Sequence, residues 1–340
     1  MKYRSKAPFR IGLAGGGTDV SPYSDLYGGA ILNATVSLYA YTTIIPRNDG
    51  KIIIRAIDRK EELVFDTIEE LPIDGVLDLQ KGVYNRIVKQ FTNEKLSFEM
   101  ITSMDVNSGS GLGTSSTLVV SILGAFVEWF KLPLGEYDIA QLAYDIERED
   151  LKMAGGKQDQ YAATFGGVNF MEFYGKKNVI VNPLRVRPEL LNELQFNLIL
   201  YYTQTSRKSA KIIEIQADNA KDKKEKPIKA MHLVKQLAYD MKKALLKDEM
   251  HLIGKILFDS WVNKKEMANG ITTPLIDEIY ETAIKAGATG GKISGAGGGG
   301  FMIFYCDNNK RYEVIEALKQ YGGESKRFEF NKTGLTTWTV

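Results

Sequence analysis

Residues 107–116 read Asn-Ser-Gly-Ser-Gly-Leu-Gly-Thr-Ser-Ser and run straight into the apolar stretch 117–130. That junction constrains the chain more than any other feature. Alternating glycines belong in neither a strand nor a helix interior, because glycine loses the most backbone freedom on ordering. An apolar helix that starts directly after them presents unpaired N–H groups and the positive end of its dipole at one point, which suits a phosphate. Ser108, Gly109, Ser110, Gly111, Leu112, Gly113, Thr114, Ser115 and Ser116 are therefore candidate phosphate-binding residues, with hydroxyls available to phosphate or Mg2+. A Walker A loop is excluded, since no Gly-Lys-Ser/Thr closes the segment. A dinucleotide fingerprint is excluded too, since Gly109, Gly111 and Gly113 have the wrong spacing. A plain glycine turn capped by serine and threonine is the other reading the residues allow.

Two further glycine clusters flank this one. Residues 7–19, Ala-Pro-Phe-Arg-Ile-Gly-Leu-Ala-Gly-Gly-Gly-Thr-Asp, place one cation, Arg10, on a strand-like run and one carboxylate, Asp19, after three glycines. Arg10 can neutralise phosphoryl charge; Asp19 can accept from sugar hydroxyls or cap a helix. Residues 295–300 hold five glycines in six positions. They match G-x-G-x-x-G by chance, because an apolar strand follows where that fingerprint needs a helix. So costly a loop implies that something approaches its backbone closely. Between the clusters, Asp159 follows Gly155-Gly156 and is a candidate for orienting or deprotonating a hydroxyl. Glu147, upstream on a helix, is a candidate Mg2+ ligand, since Mg2+ takes one or two carboxylates plus phosphate oxygens. Charged residues in a helix are more often a solvated face, and on spacing alone that reading is the better one.

Composition narrows the rest. The net charge of +2 gives no electrostatic reason to expect nucleic acid. The lone Cys306 lies in an apolar run and reads as a buried thiol, and one Cys with two His is too few for a structural zinc site. The basic N-terminus lacks the apolar run of a signal peptide, and the apolar segment 118–130 is too short to span a bilayer, so a cytoplasmic location is expected with no membrane partner. Periodicity predicts strands at 35–45 and 51–57 as a hairpin, a helix at 82–90, a strand at 96–104, and helices at 116–130 and 134–152. Helices follow around 206–225, 228–247, 249–267 and 274–286, then strands at 301–306, 326–330 and 335–340. A division near 180–195 gives expected domains 1–185 and 186–340.

The order and spacing of Ala7-Pro-Phe-Arg-Ile-Gly-Leu, Ser110-Gly-Leu-Gly-Thr-Ser-Ser116 and Lys292-Ile-Ser-Gly-Ala-Gly-Gly-Gly299 resemble the three motifs of the GHMP kinase superfamily, which includes galactokinase, homoserine kinase and mevalonate kinase. The resemblance implies an α+β fold, with an N-terminal ribosomal-S5-like domain and a C-terminal ferredoxin-like domain. It also implies ATP on residues 108–116, Mg2+ on Ser115 and Glu147 (Glu149 as the alternative), Asp159 as the catalytic aspartate, and Arg10 on the transferring phosphoryl group. Gly16, Gly17, Thr18 and Asp19 would meet the sugar, and the third loop, with Gly297 and Gly298, would close against substrate. Arg10-Ile-Gly-Leu-Ala-Gly-Gly-Gly-Thr-Asp-Val-Ser-Pro-Tyr-Ser24 is most similar to the kinases of D-glycero-D-manno-heptose 7-phosphate, which implies a sugar phosphate as partner and its anomeric hydroxyl as acceptor. Fucokinase-type domains share a related Gly-Gly-x-x-Asp sequence, so a kinase of an unphosphorylated sugar of fucose or galactose type is the alternative, and a non-catalytic sugar-binding relative a further one. Arg207 and Lys208, with Lys157 as a further option, are the candidate cations for that 7-phosphate. The resemblance leaves the chain free to act as a monomer or a homodimer.

Overall fold

The computed structural model describes residues 1–92, 94–205, 209–307 and 309–340. The first half comprises β1 (Tyr3–Ala14), α1 (Tyr23–Tyr27), β2 (Gly29–Pro46), β3 (Lys51–Ala56), β4 (Glu61–Asp66), α2 (Asp78–Ile87), β5 (Phe98–Met104), α3 (Thr114–Phe130), α4 (Glu136–Asp145), α5 (Gln158–Phe165), β6 (Val168–Tyr174) and β7 (Asn178–Pro183). The second half comprises α6 (Pro188–Asn197), β8 (Leu198–Tyr202), α7 (Ser209–Lys221), α8 (Glu225–Lys247), α9 (Ile253–Lys265), α10 (Pro274–Lys285), β9 (Gly290–Ile293), β10 (Phe301–Tyr305), α11 (Arg311–Leu318), β11 (Glu324–Lys326) and β12 (Thr336–Thr339). A π-helical turn at Ile146–Asp150 continues α4.

An eight-stranded sheet runs β12-β1-β2-β5-β3-β4, with β6 and β7 joined to the first half of β2. The predicted hairpin between 35–45 and 51–57 does not form. Strand β5 lies between them, antiparallel to β2 and parallel to β3, while β3 makes its hairpin with β4. Burial explains the choice: Phe98 and Met100 of β5 pack in the same core as Ile52 and Ile54, so a central position covers both neighbours. The β1–β2 register shifts between Pro8 and Arg10, an irregularity of the kind that re-aims a side chain, here at the start of the first glycine cluster.

The second sheet is antiparallel, in the order β11-β8-β10-β9. With β8, β9, β10 and β11 as first to fourth strands, and helices after the first and third, this is the β-α-β-β-α-β ferredoxin-like arrangement. The overall class is α+β. The strand expected at 326–330 forms instead at Glu324–Lys326, because the chain leaves this sheet after Lys326 and meets the first sheet around a bridge from Phe330 to Val36. Its last strand, β12, then pairs with β1. Cys306 is buried as expected, with its thiol pushed up to about 12 by burial.

Helix α3 is seated by hydroxyls as well as by apolar contact. Ser121 Oγ lies 2.9 Å from Thr42 Oγ1 and 3.2 Å from Ser5 Oγ, so helix and sheet approach closely without stranding a polar group. Further along, Phe126 and Trp129 pack on Phe98, which also meets Tyr84. This cluster fixes the helix whose other end faces the glycine loops. Phe98→Ala should therefore cost about 3–5 kcal/mol; urea unfolding followed by tryptophan fluorescence measures it, and a midpoint equal to the wild type would contradict the assigned role.

Candidate active site

Arg10 leaves β1 with its side chain buried and its donors directed at Asp159, Gly111 and, more distantly at 3.4 Å from Nη1, Ser294 Oγ. Nε donates to Asp159 Oδ1 at 2.7 Å, and Nη1 donates to the Gly111 carbonyl at 2.6 Å. No described residue accepts from Nη2, and Arg10 borders a cavity of about 360 Å3. Asp159 stands in the first turn of α5, a quarter exposed, with Oδ1 held by Arg10 and Oδ2 without a partner among the described residues. Gly113 lies against it: a Cβ there would come within 3.0 Å of the carboxyl carbon. The two predicted catalytic residues, far apart in sequence, thus form one ion pair on the cavity wall.

The N-terminus of α3 faces the same cavity. Its N-cap, Gly113, has φ +80° and offers no side-chain cap, so the first N–H groups stay free for an anion. Ser115 is half-buried on the wall, whereas Leu112 points into the core and can meet a ligand only through its backbone. The third glycine loop packs directly on this one. Ser294 Oγ donates to Gly111 O at 3.0 Å, and Phe301 N donates to Ser110 O at 2.8 Å. A Cβ on Gly295 would sit 2.8 Å from Gly111 Cα, which is the close backbone approach that the glycine density implied. Gly297 and Gly298 dock on Ile271, the latter through an N–H bond of 2.8 Å to its carbonyl, so their backbones brace the loop.

Glu147 lies in the π-helical turn and is wholly buried, its Oε2 accepting from Gln160 while Oε1 has no hydrogen-bond partner. It lines the cavity with Ser115. Glu149, the alternative ligand, is half exposed and faces Lys177 at 3.4 Å, away from this carboxylate's environment. A buried carboxylate oxygen that accepts no hydrogen bond, with the Arg148 guanidinium 3.7 Å away and Ser115 on the same cavity wall, fits Mg2+, which completes its shell with phosphate oxygens and water. Among the described residues no group of three or more acidic, His or Cys side chains could hold a metal alone. A second cavity of about 340 Å3 shares Thr114, Ser115 and Met153 and continues past Ser108 to Gln80 and Ala56.

On the sugar-side turn the structure redistributes the expected roles. Thr18 is fully buried, its hydroxyl 2.9 and 3.0 Å from the carbonyls of Gly15 and Ala30 and accepting from Ala30 N, so it holds the turn together. Asp19 Oδ2 accepts from the N–H groups of Lys157 and Gln158 at 2.8 and 3.0 Å and so caps α5, the helix that carries Asp159. Burial raises its pKa, with a smaller contribution from Asp159, and the N–H bonds oppose both. Lys157 is no phosphate ligand: its ammonium is taken up by Ser24 Oγ, Asp25 Oδ1 and Gly175 O at 2.8–3.0 Å. Arg207 and Lys208 lie outside the described residues.

Sequence reasoning missed Lys264, Lys292, Ser294 and Gln216. Lys264 is buried and donates to Gly295 O at 2.8 Å. Gln216 is buried beside Gly17, with its Nε2 unpartnered. Lys264 carried a usable signal: it falls on the stripe Ile253, Ile256, Leu257, Ser260 and Trp261, the buried face of α9.

Glycine loops on a helix N-terminus, an Arg–Asp pair and two joined cavities describe a phosphotransferase site on a two-sheet fold. The chain belongs to the GHMP kinase family: it matches the GHMP kinases N terminal domain over residues 78–167 and the GHMP kinases C terminal domain over 241–324. It is 50% identical over 337 residues, 99% of both chains, to the D-glycero-alpha-D-manno-heptose 7-phosphate kinase of Campylobacter jejuni subsp. jejuni. The crystal structure of a D-glycero-D-manno-heptose 1-phosphate kinase from Bacteroides thetaiotaomicron superposes with a TM-score of 0.84 at 46% identity, covering 99% of each chain. Lactococcus lactis galactokinase in complex with galactose, at 18% identity, shares the fold with a TM-score of 0.79 over 98% of this chain and 95% of that one.

Gly111→Ala would place a Cβ 2.5 Å from the Ser294 carbonyl at a φ of +85°. Displacing the paired loops by even about 1 Å should lower kcat by roughly 100-fold, measured by coupled ADP release; activity within threefold of the wild type would refute the tight-docking reading.

Proposed function

We propose that this protein transfers the γ-phosphoryl group of ATP to the anomeric hydroxyl of D-glycero-D-manno-heptose 7-phosphate, giving the 1,7-bisphosphate, a step towards nucleotide-activated heptose for surface glycans. The observation that carries the chemistry is the Arg10–Asp159 pair facing the uncapped N-terminus of α3 across one cavity. The sugar rests on the identity with the Campylobacter jejuni enzyme.

The triphosphate lies against residues 108–116, whose free N–H groups and hydroxyls meet its oxygens, and the nucleoside extends into the second cavity past Ser108. Ser115 and Glu147 would hold Mg2+, which when bound neutralises phosphate charge. Arg10 Nη2 offsets charge on the transferring group without reorganising, because Nε and Nη1 already fix the guanidinium. Asp159 Oδ2 accepts the hydrogen bond of the sugar hydroxyl, orienting its oxygen in line and receiving its proton as the new O–P bond forms and the bond to the β-phosphate oxygen breaks. Asp19 acts at one remove, by fixing the start of α5. For the 7-phosphate, Arg207 and Lys208 are the proposed cations. Their neighbours support this: Gly300 N donates to Thr205 O at 2.7 Å, and Ser209 lines the cavity.

The Bacteroides thetaiotaomicron relative favours a second reading, in which a heptose 1-phosphate is the acceptor. Phosphorus NMR of the product separates the two: the 7-phosphate should be consumed with appearance of an anomeric phosphate, and turnover of the 1-phosphate alone would overturn the first reading. The 7-phosphate should also exceed dephosphorylated heptose in kcat/KM, and equal values would remove the case for a 7-phosphate pocket. Asp159→Asn should lower kcat by about 100- to 10,000-fold with the Kd for an ATP analogue within threefold; undiminished turnover would remove Asp159 from the mechanism.

A further inference from the structure

We propose that Lys264 is a positioning residue for phosphoryl transfer: its ammonium joins the turn at Gly16 to the loop at Gly295 and so sets the wall on which the sugar substrate rests. The inference builds on the kinase reading but not on which sugar phosphate is the acceptor.

Lys264 comes from α9, in the half of the chain opposite to Arg10 and Asp159. The residue is only 4% exposed, and its Nζ donates to Gly295 O at 2.8 Å with Gly16 O at 3.4 Å. Those two carbonyls belong to the first and third glycine segments. A lysine has three donors in a compact head, so it can bridge two carbonyls and still offer a hydrogen towards a ligand. Removing it would leave two part-buried acceptors without this donor, a cost on top of the bond itself.

A charged group is an expensive bridge, since burial disfavours an ammonium. Lys264 shows that tension: burial and the Arg10 charge push its pKa down to about 8, with Asp19 opposing. The charged groups around it are Arg10 from β1, Asp19 from the following turn, Lys292 from β9 and, beyond Arg10, Asp159 from α5. Lys292 is itself buried and pushed well below the ordinary lysine range, by burial and then by Lys264 and Arg10. The faces that α8 and β10 bury nearby are apolar, with Met231, Val234, Met302 and Ile303 among them. An anionic substrate entering this cluster favours the protonated form of Lys264, so binding and protonation reinforce each other. The sign follows: Lys264 is charged in the free enzyme below about pH 8 and loses its proton above it, so kcat/KM for the sugar phosphate should fall as pH rises through that value. Ordinary lysines, which titrate near 10.4, would give no such limb.

The test uses the full-length enzyme and whichever sugar phosphate the wild type turns over, so failure of the heptose assignment leaves it intact. Lys264→Met should raise KM for the sugar phosphate at least tenfold, keep KM for ATP within twofold, and abolish the alkaline limb of kcat/KM. Lys264→Arg, charged at every accessible pH, should recover part of the lost kcat/KM and show no limb near pH 8. Lys265→Met, its more exposed neighbour facing Asp277, should match the wild type. ATP-analogue binding by calorimetry confirms that each variant is folded. Retention of the limb in Lys264→Met, an unchanged sugar KM, or an equal loss for both substrates would each overturn the proposal.

Discussion

The carbonyl oxygen of Gly111 is where the structure converges. Arg10 Nη1 donates to it at 2.6 Å from the first strand, and Ser294 Oγ donates at 3.0 Å from the third glycine loop. One acceptor with two lone pairs thus ties together three segments that lie far apart along the chain. The arrangement demands glycine on both sides, because a Cβ at 111 would meet the Ser294 carbonyl and one at 295 would meet Gly111 Cα. The glycine clusters are therefore less a sign of flexibility than of backbone packed against backbone. Their entropic cost on folding is offset by hydrogen bonds that no bulkier residue would permit.

That convergence also explains how a buried arginine can serve catalysis. A guanidinium with all five donors satisfied would have nothing to give a phosphoryl group, and one with none satisfied would be too costly to bury. Arg10 sits between these limits, anchored through Nε and Nη1 with Nη2 left at the cavity. Asp159 is the mirror case, with one oxygen fixed and the other available. Each partner holds the other in place, so the charges proposed to act on substrate are oriented before it arrives.

Much of this was legible in the residues, and the limits are instructive. Gly109–Ser116 with its apolar helix, the Arg10 strand and the dense glycines at 295–300 each carry a local physical signature, and their association follows once they are taken together. Strand order was not legible: the alternation in 35–45 and 51–57 marks two strands but says nothing about β5 inserting between them, which depends on non-local burial of Phe98 and Met100. Side-chain employment was equally hidden. Thr18, Asp19 and Lys157 have the chemistry of ligand-binding residues, yet the Thr18 hydroxyl is taken up by Gly15 and Ala30, one carboxylate oxygen of Asp19 by the start of α5, and the Lys157 ammonium by Ser24, Asp25 and Gly175. Sequence gives a residue's capacity for hydrogen bonding; only the fold shows whether that capacity is already used.

The two halves contribute to the site in different ways, and this bears on how such a fold can change its sugar. The residues proposed to face the phosphoryl group stand on elements of the first half: Arg10 on β1, Ser115 on α3 and Asp159 on α5. The wall around the first turn is built instead from helices of the second half. One face of α7 brings Ser209, Ala210 and Ile213 to the cavity and Gln216 to Gly17, and α9 brings Lys264 to Gly16. No described side chain of α7 hydrogen-bonds to Arg10, Asp159 or Gly111, so those side chains can be exchanged with less disturbance than Lys264, which ties two of the glycine segments together. On the proposed roles, phosphoryl chemistry is thereby separated from sugar selection, and Gln216, buried with an unpartnered amide nitrogen, stands on the side where selection would vary.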